Sequence, residues 1–155
     1  MLSRLRDELL GGEPRTAASA ILDAVEARPE LPVNLSREDF EGTAADLLVE
    51  LGENPGVVDH LCQQFARPRL WGVLLDALAL LGDPAAAHAV AALAKSQLRH
   101  PTLEVPELIK LVSTLGCVGG PESREALDAF RARGDWSPDV ARELEIAHEA
   151  LGKPR

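Results

Sequence analysis

One punctuation mark recurs along this chain and constrains its fold more than any other feature. A Leu-rich run ends in Leu-Gly, and a proline follows within a few residues. The mark stands at Leu10-Gly11 with Pro14, Leu51-Gly52 with Pro55, Leu81-Gly82 with Pro84, Leu115-Gly116 with Pro121 and Leu151-Gly152 with Pro154. Its glycines lie 41, 30, 34 and 36 residues apart. A glycine just past a helix can take the left-handed conformation that closes the C-terminus. A proline suits the first turn of the next helix, where its missing N–H costs nothing. Each mark therefore predicts helix, tight turn, helix, at the period of about 30–47 residues used by helical hairpin repeats.

The helices follow from these marks. First helices of each pair are expected over 2–11, 37–52, 69–82, 104–116 and 138–152, and second helices over 14–28, 55–66, 84–99 and 121–133. Asn54 and Asp83 precede prolines, where a side chain can cap the new helix. Ser36 before Arg37-Glu38-Asp39 is a capping-box-like start, and Ser137-Pro138 is another cap. Pairs are separated by Pro-broken connections at 28–34, 67–68 and 100–102. Apolar spacing agrees, with Phe40, Ala44, Leu47, Leu48 and Leu51 on one face. Val58, Leu61, Cys62 and Phe65 follow, then Leu74, Leu75, Leu78 and Leu81 facing Val90, Leu93 and Ala94. Leu108, Leu111, Val112 and Leu115 face Leu127 and Phe130, and no window alternates as a half-buried strand would. Composition points the same way. The chain has no Tyr, three Phe and two Trp, and its apolar share rests on Ala and Leu, which favour helix over strand.

One stretch carries a family resemblance. Leu74-Leu75-Asp76-Ala77-Leu78-Ala79-Leu80-Leu81-Gly82-Asp83-Pro84-Ala85-Ala86 resembles the core of a bacterial HEAT-like repeat, in which an Ala/Leu helix ends in Leu-Gly-Asp and Pro opens the second helix. Asn54 takes the Asp position in the copy at Leu47–Pro55, and the copy at Leu111–Pro121 is stretched by Cys117-Val118-Gly119-Gly120. The resemblance covers about residues 37–152. It implies an all-α, right-handed α-α superhelix, a short HEAT-like solenoid of about four helical hairpins plus a terminal helix. The expected organisation is a single domain over 1–155, with 1–30 as an N-terminal capping hairpin, 37–152 as the repeats and the helix at 138–152 capping the other end.

Fold does not supply function, so the chemistry was sought residue by residue. A di-iron site resembling that of HEAT-like deoxyhypusine hydroxylases needs several His-Glu pairs on successive helices, and only His148-Glu149 is present. That pair reads as exposed on the terminal helix. HEAT-like DNA glycosylases imply a basic groove with aromatics and an acid. Trp71 and Trp136 stand here near Asp76 and Asp135, in a chain of net charge −9. Trp71 reads as core or hairpin edge, and Trp136 as a staple over the next helix or an exposed contact. A third class, resembling the phycobilin lyases, would hold a tetrapyrrole, for which an aromatic-poor chain offers little. Gly116-Cys117-Val118-Gly119-Gly120 lacks the strand and Gly-Lys-Ser/Thr of a phosphate loop and reads as a loosened turn. Cys62 and Cys117, without metal-ligand spacing, read as two buried thiols. No cofactor or metal is expected.

Charge localises the expected binding surface. Residues 1–56 hold 5 Lys/Arg against 12 Asp/Glu, and residues 57–155 hold 11 against 13. In stacked hairpins one helix of each pair lines the concave side, and for HEAT-like repeats that is the second helix. There the polar stripes are His60, Gln63 and Gln64, then His88, Ala92, Lys95 and Arg99, then Arg124, Asp128 and Arg131. His88, Lys95, Arg99, Arg124, Asp128 and Arg131 are the expected partner-binding residues, in a mildly basic strip suited to an acidic helix or peptide of another protein. A second candidate surface is the acidic group Glu38, Asp39, Glu41, Asp46, Glu50 and Glu53. The expected function is a non-enzymatic protein-interaction module: an adaptor, regulatory subunit or inhibitor. The alternatives are a small enzyme or ligand carrier, or nucleic-acid binding, which an acidic chain disfavours. The start lacks a signal peptide's apolar core and no run reaches a spanning helix's length, so a cytoplasmic protein without membrane contact is expected. End-to-end self-association is a further expectation.

Overall fold

A computed structural model of the chain describes residues 13–54 and 56–152. The helix expected over 2–11, and the marks' residues Gly11, Pro55 and Pro154, lie outside them. Among the described residues all regular structure is helical. In chain order it comprises α1 (Pro14–Ala27), α2 (Arg37–Leu51), α3 (Val57–Gln63), α4 (Trp71–Leu81), α5 (Ala87–Arg99), α6 (Val105–Val118), α7 (Pro121–Arg133) and α8 (Pro138–Gly152). Short 3-10 turns at Gln64–Ala66 and Pro68–Leu70 join α3 to α4, and another at Pro84–Ala86 leads into α5. The chain divides into two compact units, Met1–Ala77 and Leu78–Arg155.

In the first unit, α1 packs against α2, α3 and the turn at Pro68–Leu70. Its stripe of Ala17, Ala18, Ile21, Leu22 and Val25 is buried at helical spacing, as are Leu47, Leu48 and Leu51 of α2 and Leu61 of α3. In the second unit, α5 packs on α7 and α6 on α8, while α6 and α7 pack on each other. The helices expected to be second in their pairs thus form one layer and those expected to be first form another. Leu111, Val112 and Leu115 of α6 and Leu127 and Phe130 of α7 are fully buried between them. Burying one such Leu or Phe is worth about 1.5–3 kcal/mol relative to exposure. On α8, Val140, Leu144 and Ala147 face inward, while Arg142, Glu145 and Glu149 are exposed together with Ala141 and Ile146, a mixed outer side.

Helix starts fall where the capping chemistry puts them. The Ser36 hydroxyl accepts from the Asp39 N–H at 3.0 Å, and Glu38 and Asp39 place negative charge in the first turn of α2. The Asp83 carboxylate accepts from the Ala85 N–H at 2.9 Å, and Ser137 receives the Val140 N–H at 3.4 Å. Asn54 behaves differently from its expected role. Its side-chain amide donates back to the Leu51 carbonyl at 3.0 Å, satisfying the end of α2 rather than the start of α3.

The Leu-Gly marks divide in the same way. Gly82, at φ +59, closes α4 in the left-handed region as expected. Gly52 has an ordinary right-handed φ of −63, and the left-handed residue of that turn is Gly56 at φ +84. Gly152 is the last residue of α8 itself. Gly116 lies inside α6, which runs two residues beyond its expected end and closes at Gly119. What Gly116 provides is closeness: a Cβ there would stand 3.0 Å from the Cα and Cβ of Ala147, tighter than ordinary contact, so any side chain would make α8 give way. Expectations for three further residues are corrected. Cys117 is exposed and Cys62 is partly buried. His148 is nearly buried, at 13% side-chain exposure, and is no surface residue.

These two kinds of glycine make opposite predictions. Gly116→Val must push α8 away and should destabilise the protein by about 1–3 kcal/mol. Gly42 sits mid-helix in α2, where a Cβ would meet nothing within 4 Å, so Gly42→Ala should stabilise by about 0.5–1 kcal/mol. Urea unfolding of the two variants beside the wild type measures both.

Candidate partner-binding surface

The residues expected at a partner surface are drawn together on α5, α7 and α8 by ion pairs and hydrogen bonds that the sequence did not disclose. His88 meets Glu122 at 2.6 Å and Lys95 meets Glu125 at 3.0 Å, so the exposed edges of α5 and α7 are zipped at two points. His88 and Lys95 lie two turns apart on one face of α5, and Glu122 and Glu125 lie about one turn apart on one face of α7, so side-chain reach takes up the difference. On the other side of α7, Asp128 accepts from His148 at 3.1 Å and Arg131 pairs with Glu145 at 3.0 Å, both residues of α8. The Arg124 guanidinium donates to the Leu151 carbonyl at 3.3 Å, near the C-terminal end of α8, where carbonyls lack helical partners. Arg99 stands exposed in the last turn of α5.

Five of the six expected residues therefore hold helix to helix as well as facing solvent. The His148 ring lies between two acceptors, with Nδ1 against the Leu144 carbonyl at 2.8 Å and Nε2 against Asp128. Glu122 and Glu125 were missing from the sequence expectation because they lie beside the Arg124–Asp128–Arg131 stripe rather than in it. Their signal was their spacing against His88 and Lys95, legible only once α5 and α7 are neighbours. Together α5 and α7 carry five Lys/Arg and three Asp/Glu, a cationic excess in a chain of net charge −9.

The first unit repeats the device with other residues. The Ser19 hydroxyl of α1 and the His60 Nε2 of α3 are 2.8 Å apart. Arg67, just past α3, reaches back to α1 and binds Asp23 at 2.8 Å and both oxygens of Glu26, at 2.8 and 3.0 Å. The Arg67 side chain also donates to Gln64 at 3.1 Å. A groove of about 580 Å³ lies over this clasp, lined by Asp23, Glu26, Ala27, Arg67, Pro68 and Arg69. The guanidinium holds the Glu26 carboxyl below the usual carboxylate range, against the opposing effect of desolvation. At the start of α1, Glu13 is likewise held low by the N–H and hydroxyl of Thr16.

Both tryptophans serve chain reversals. The Trp71 indole N–H donates to the Phe65 carbonyl at 2.7 Å, and the Trp136 indole N–H donates to the Phe130 carbonyl at 2.5 Å. Each spans six residues, and the two Phe-Trp pairs are 65 residues apart. Trp136 also stacks on Phe130, with centroids 4.9 Å apart and planes 16° from parallel, and Arg133 lies 4.7 Å over its ring. Trp136 thus packs back on the preceding helix α7 rather than over the start of α8 as expected, and Trp71 sits at a hairpin edge. This second internal repeat is independent of the Leu-Gly-Pro mark.

Among the described residues, no group of three or more His, Cys, Asp or Glu is arranged to hold a metal ion, and no helix is long and apolar enough to cross a membrane. Comparison with protein-family models, curated proteins and solved structures finds no match.

The clasp predicts a pH dependence. A carboxylate depressed on folding contributes stability above its unfolded pKa and loses it as pH falls through its folded value. Arg67→Met should therefore lower stability at neutral pH, and the gap from wild type should close as pH falls below the ordinary carboxylate range. Urea midpoints measured across that range check the sign.

Proposed function

We propose that this chain is a non-enzymatic protein-interaction module, a short HEAT-like array of right-handed superhelical type. Its partner-binding surface is the second-helix face bearing His88, Lys95, Arg99, Arg124, Asp128 and Arg131. The partner offers an acidic helix or peptide, and the setting is cytoplasmic. The observation that carries this reading is the exposed, cation-rich α5–α7 edge, with its charges held in pairs at the surface.

Such pairs suit exchange. An exposed ion pair contributes only about 0–1 kcal/mol, because water solvates its members nearly as well apart. A carboxylate on a partner can replace Glu122 beside His88 or Glu125 beside Lys95 at small cost, and the cationic excess favours its approach. The layering of α5 on α7 and of α6 on α8 supports the HEAT-like part of the reading, since repeat hairpins stack like helix on like helix.

Affinity capture from the native cell, with wild type beside a Lys95→Glu/Arg131→Glu variant, tests the reading. Both sites are surface ion pairs, so the variant should keep its helical circular dichroism. A protein captured by the wild type and lost with the variant is the expected result. Equal capture by both would move the surface elsewhere, to the acidic group on α2 first.

A further inference from the structure

Within the first unit, Arg15, Gly56, Asp59, His60 and Gln63 surround a cavity of about 270 Å³. The sequence reading placed His60 and Gln63 in a polar stripe and gave Arg15 and Asp59 no role. The Arg15 guanidinium lies against the Gly56 backbone, so close that a Cβ on Gly56 would stand 3.5 Å from its central carbon. Gly56 itself holds φ +84 and starts α3. His60 is fixed from behind by the Ser19 hydroxyl at 2.8 Å. Ser19 does not line the cavity, so it positions the ring rather than meeting a ligand.

Arg15 and Asp59 carry opposite charges into the lining of one cavity, and Arg15 also acts electrostatically on the Glu13 carboxylate at the start of α1. An anion alone would meet the repulsion of Asp59, and a cation alone that of Arg15. The space holds about nine waters at liquid density, less than pockets for drug-sized ligands offer.

We infer that this cavity binds a small zwitterion of the free amino-acid class, its carboxylate on Arg15 and its ammonium on Asp59. The Gln63 amide, donor and acceptor at once, and the His60 ring edge orient the rest of the molecule. Charge-assisted hydrogen bonds to both ends give the selectivity, because a ligand lacking either charge leaves one side chain without its partner. This inference is independent of the partner-binding reading, which concerns the second unit.

NMR titration of the full chain tests it, following the His60 ring and Gly56 amide signals. The probes are the standard L-amino acids, then the N-acetyl and the carboxamide derivative of the best binder. A saturable shift with at least one amino acid is expected, weakened at least about tenfold by either derivatisation, the scale of one charge-assisted hydrogen bond. Arg15→Gln and Asp59→Asn should each cause a similar loss, with circular dichroism confirming the fold. The inference is overturned if no amino acid moves these signals at millimolar concentration. It is equally overturned if the N-acetyl derivative or Asp59→Asn binds as well as the parent, since the cavity would then be a plain anion site.

Discussion

Close approach of Ala- and Leu-lined helices is the constraint on which everything else here depends. With almost no aromatic bulk, the core gains its burial from many small and branched aliphatic side chains, and these fill space only when helix axes come near one another. The core reflects this: Ala18, Ala45, Ala77, Ala91, Ala94 and Ala126 are all nearly or fully enclosed, and Phe130 is the one large aromatic buried with them among the described residues. Gly116 against Ala147 is the extreme case, where a methyl group would already crowd the neighbouring helix. Helices so close leave little room between them for polar side chains, so charges are driven to the edges. There they meet the charges of the next helix.

That displacement connects the core to the proposed surface. His88–Glu122 and Lys95–Glu125 border the α5–α7 contact, and His148–Asp128 and Arg131–Glu145 border that of α7 with α8. Pairs of this kind add little to stability, which comes from the apolar stripes beneath them. Their consequence is a patterned, polar and slightly cationic edge on a rigid support. Binding surfaces on helical arrays depend on such support, because side chains held by a packed helix lose less freedom on meeting a partner. Where a polar group is buried, it is given local work. Gln97, 3% exposed, accepts the Thr102 and Leu103 N–H groups at 2.8 and 3.1 Å and so fixes the connection from α5 to α6.

Much of the helical framework was legible in the sequence. The apolar stripes on α2, α5, α6 and α7 are buried as their spacing requires except at Phe40 and Leu108 near the helix starts, which are partly exposed, and Ser36, Asp83 and Ser137 cap the helices they precede. These are local matters, decided within a turn or two of the residue concerned. Glycine was legible only in part, because its missing side chain serves two ends that look alike in sequence. Gly82 supplies a left-handed turn, whereas Gly116 supplies room for a neighbouring helix, and nothing nearby in sequence tells one from the other. The candidate surface was legible as a set of positions and not as a set of pairs. Glu122, Glu125 and Glu145 join it through neighbours 14 to 34 residues away, a matter of tertiary packing. The cavity at Arg15 and Asp59 depends likewise on α1 meeting α3.

The most direct test of the central claim, that the α5–α7 edge is where a partner sits, is photocrosslinking in the native cell. Ala92 is exposed on α5 between His88 and Lys95, and Ala141 is exposed on the outer side of α8. A photoreactive residue at position 92 should yield a discrete adduct with one protein, and the same residue at position 141 should not. An adduct from position 141 with none from position 92 would contradict the account and place the partner on the other layer of the unit.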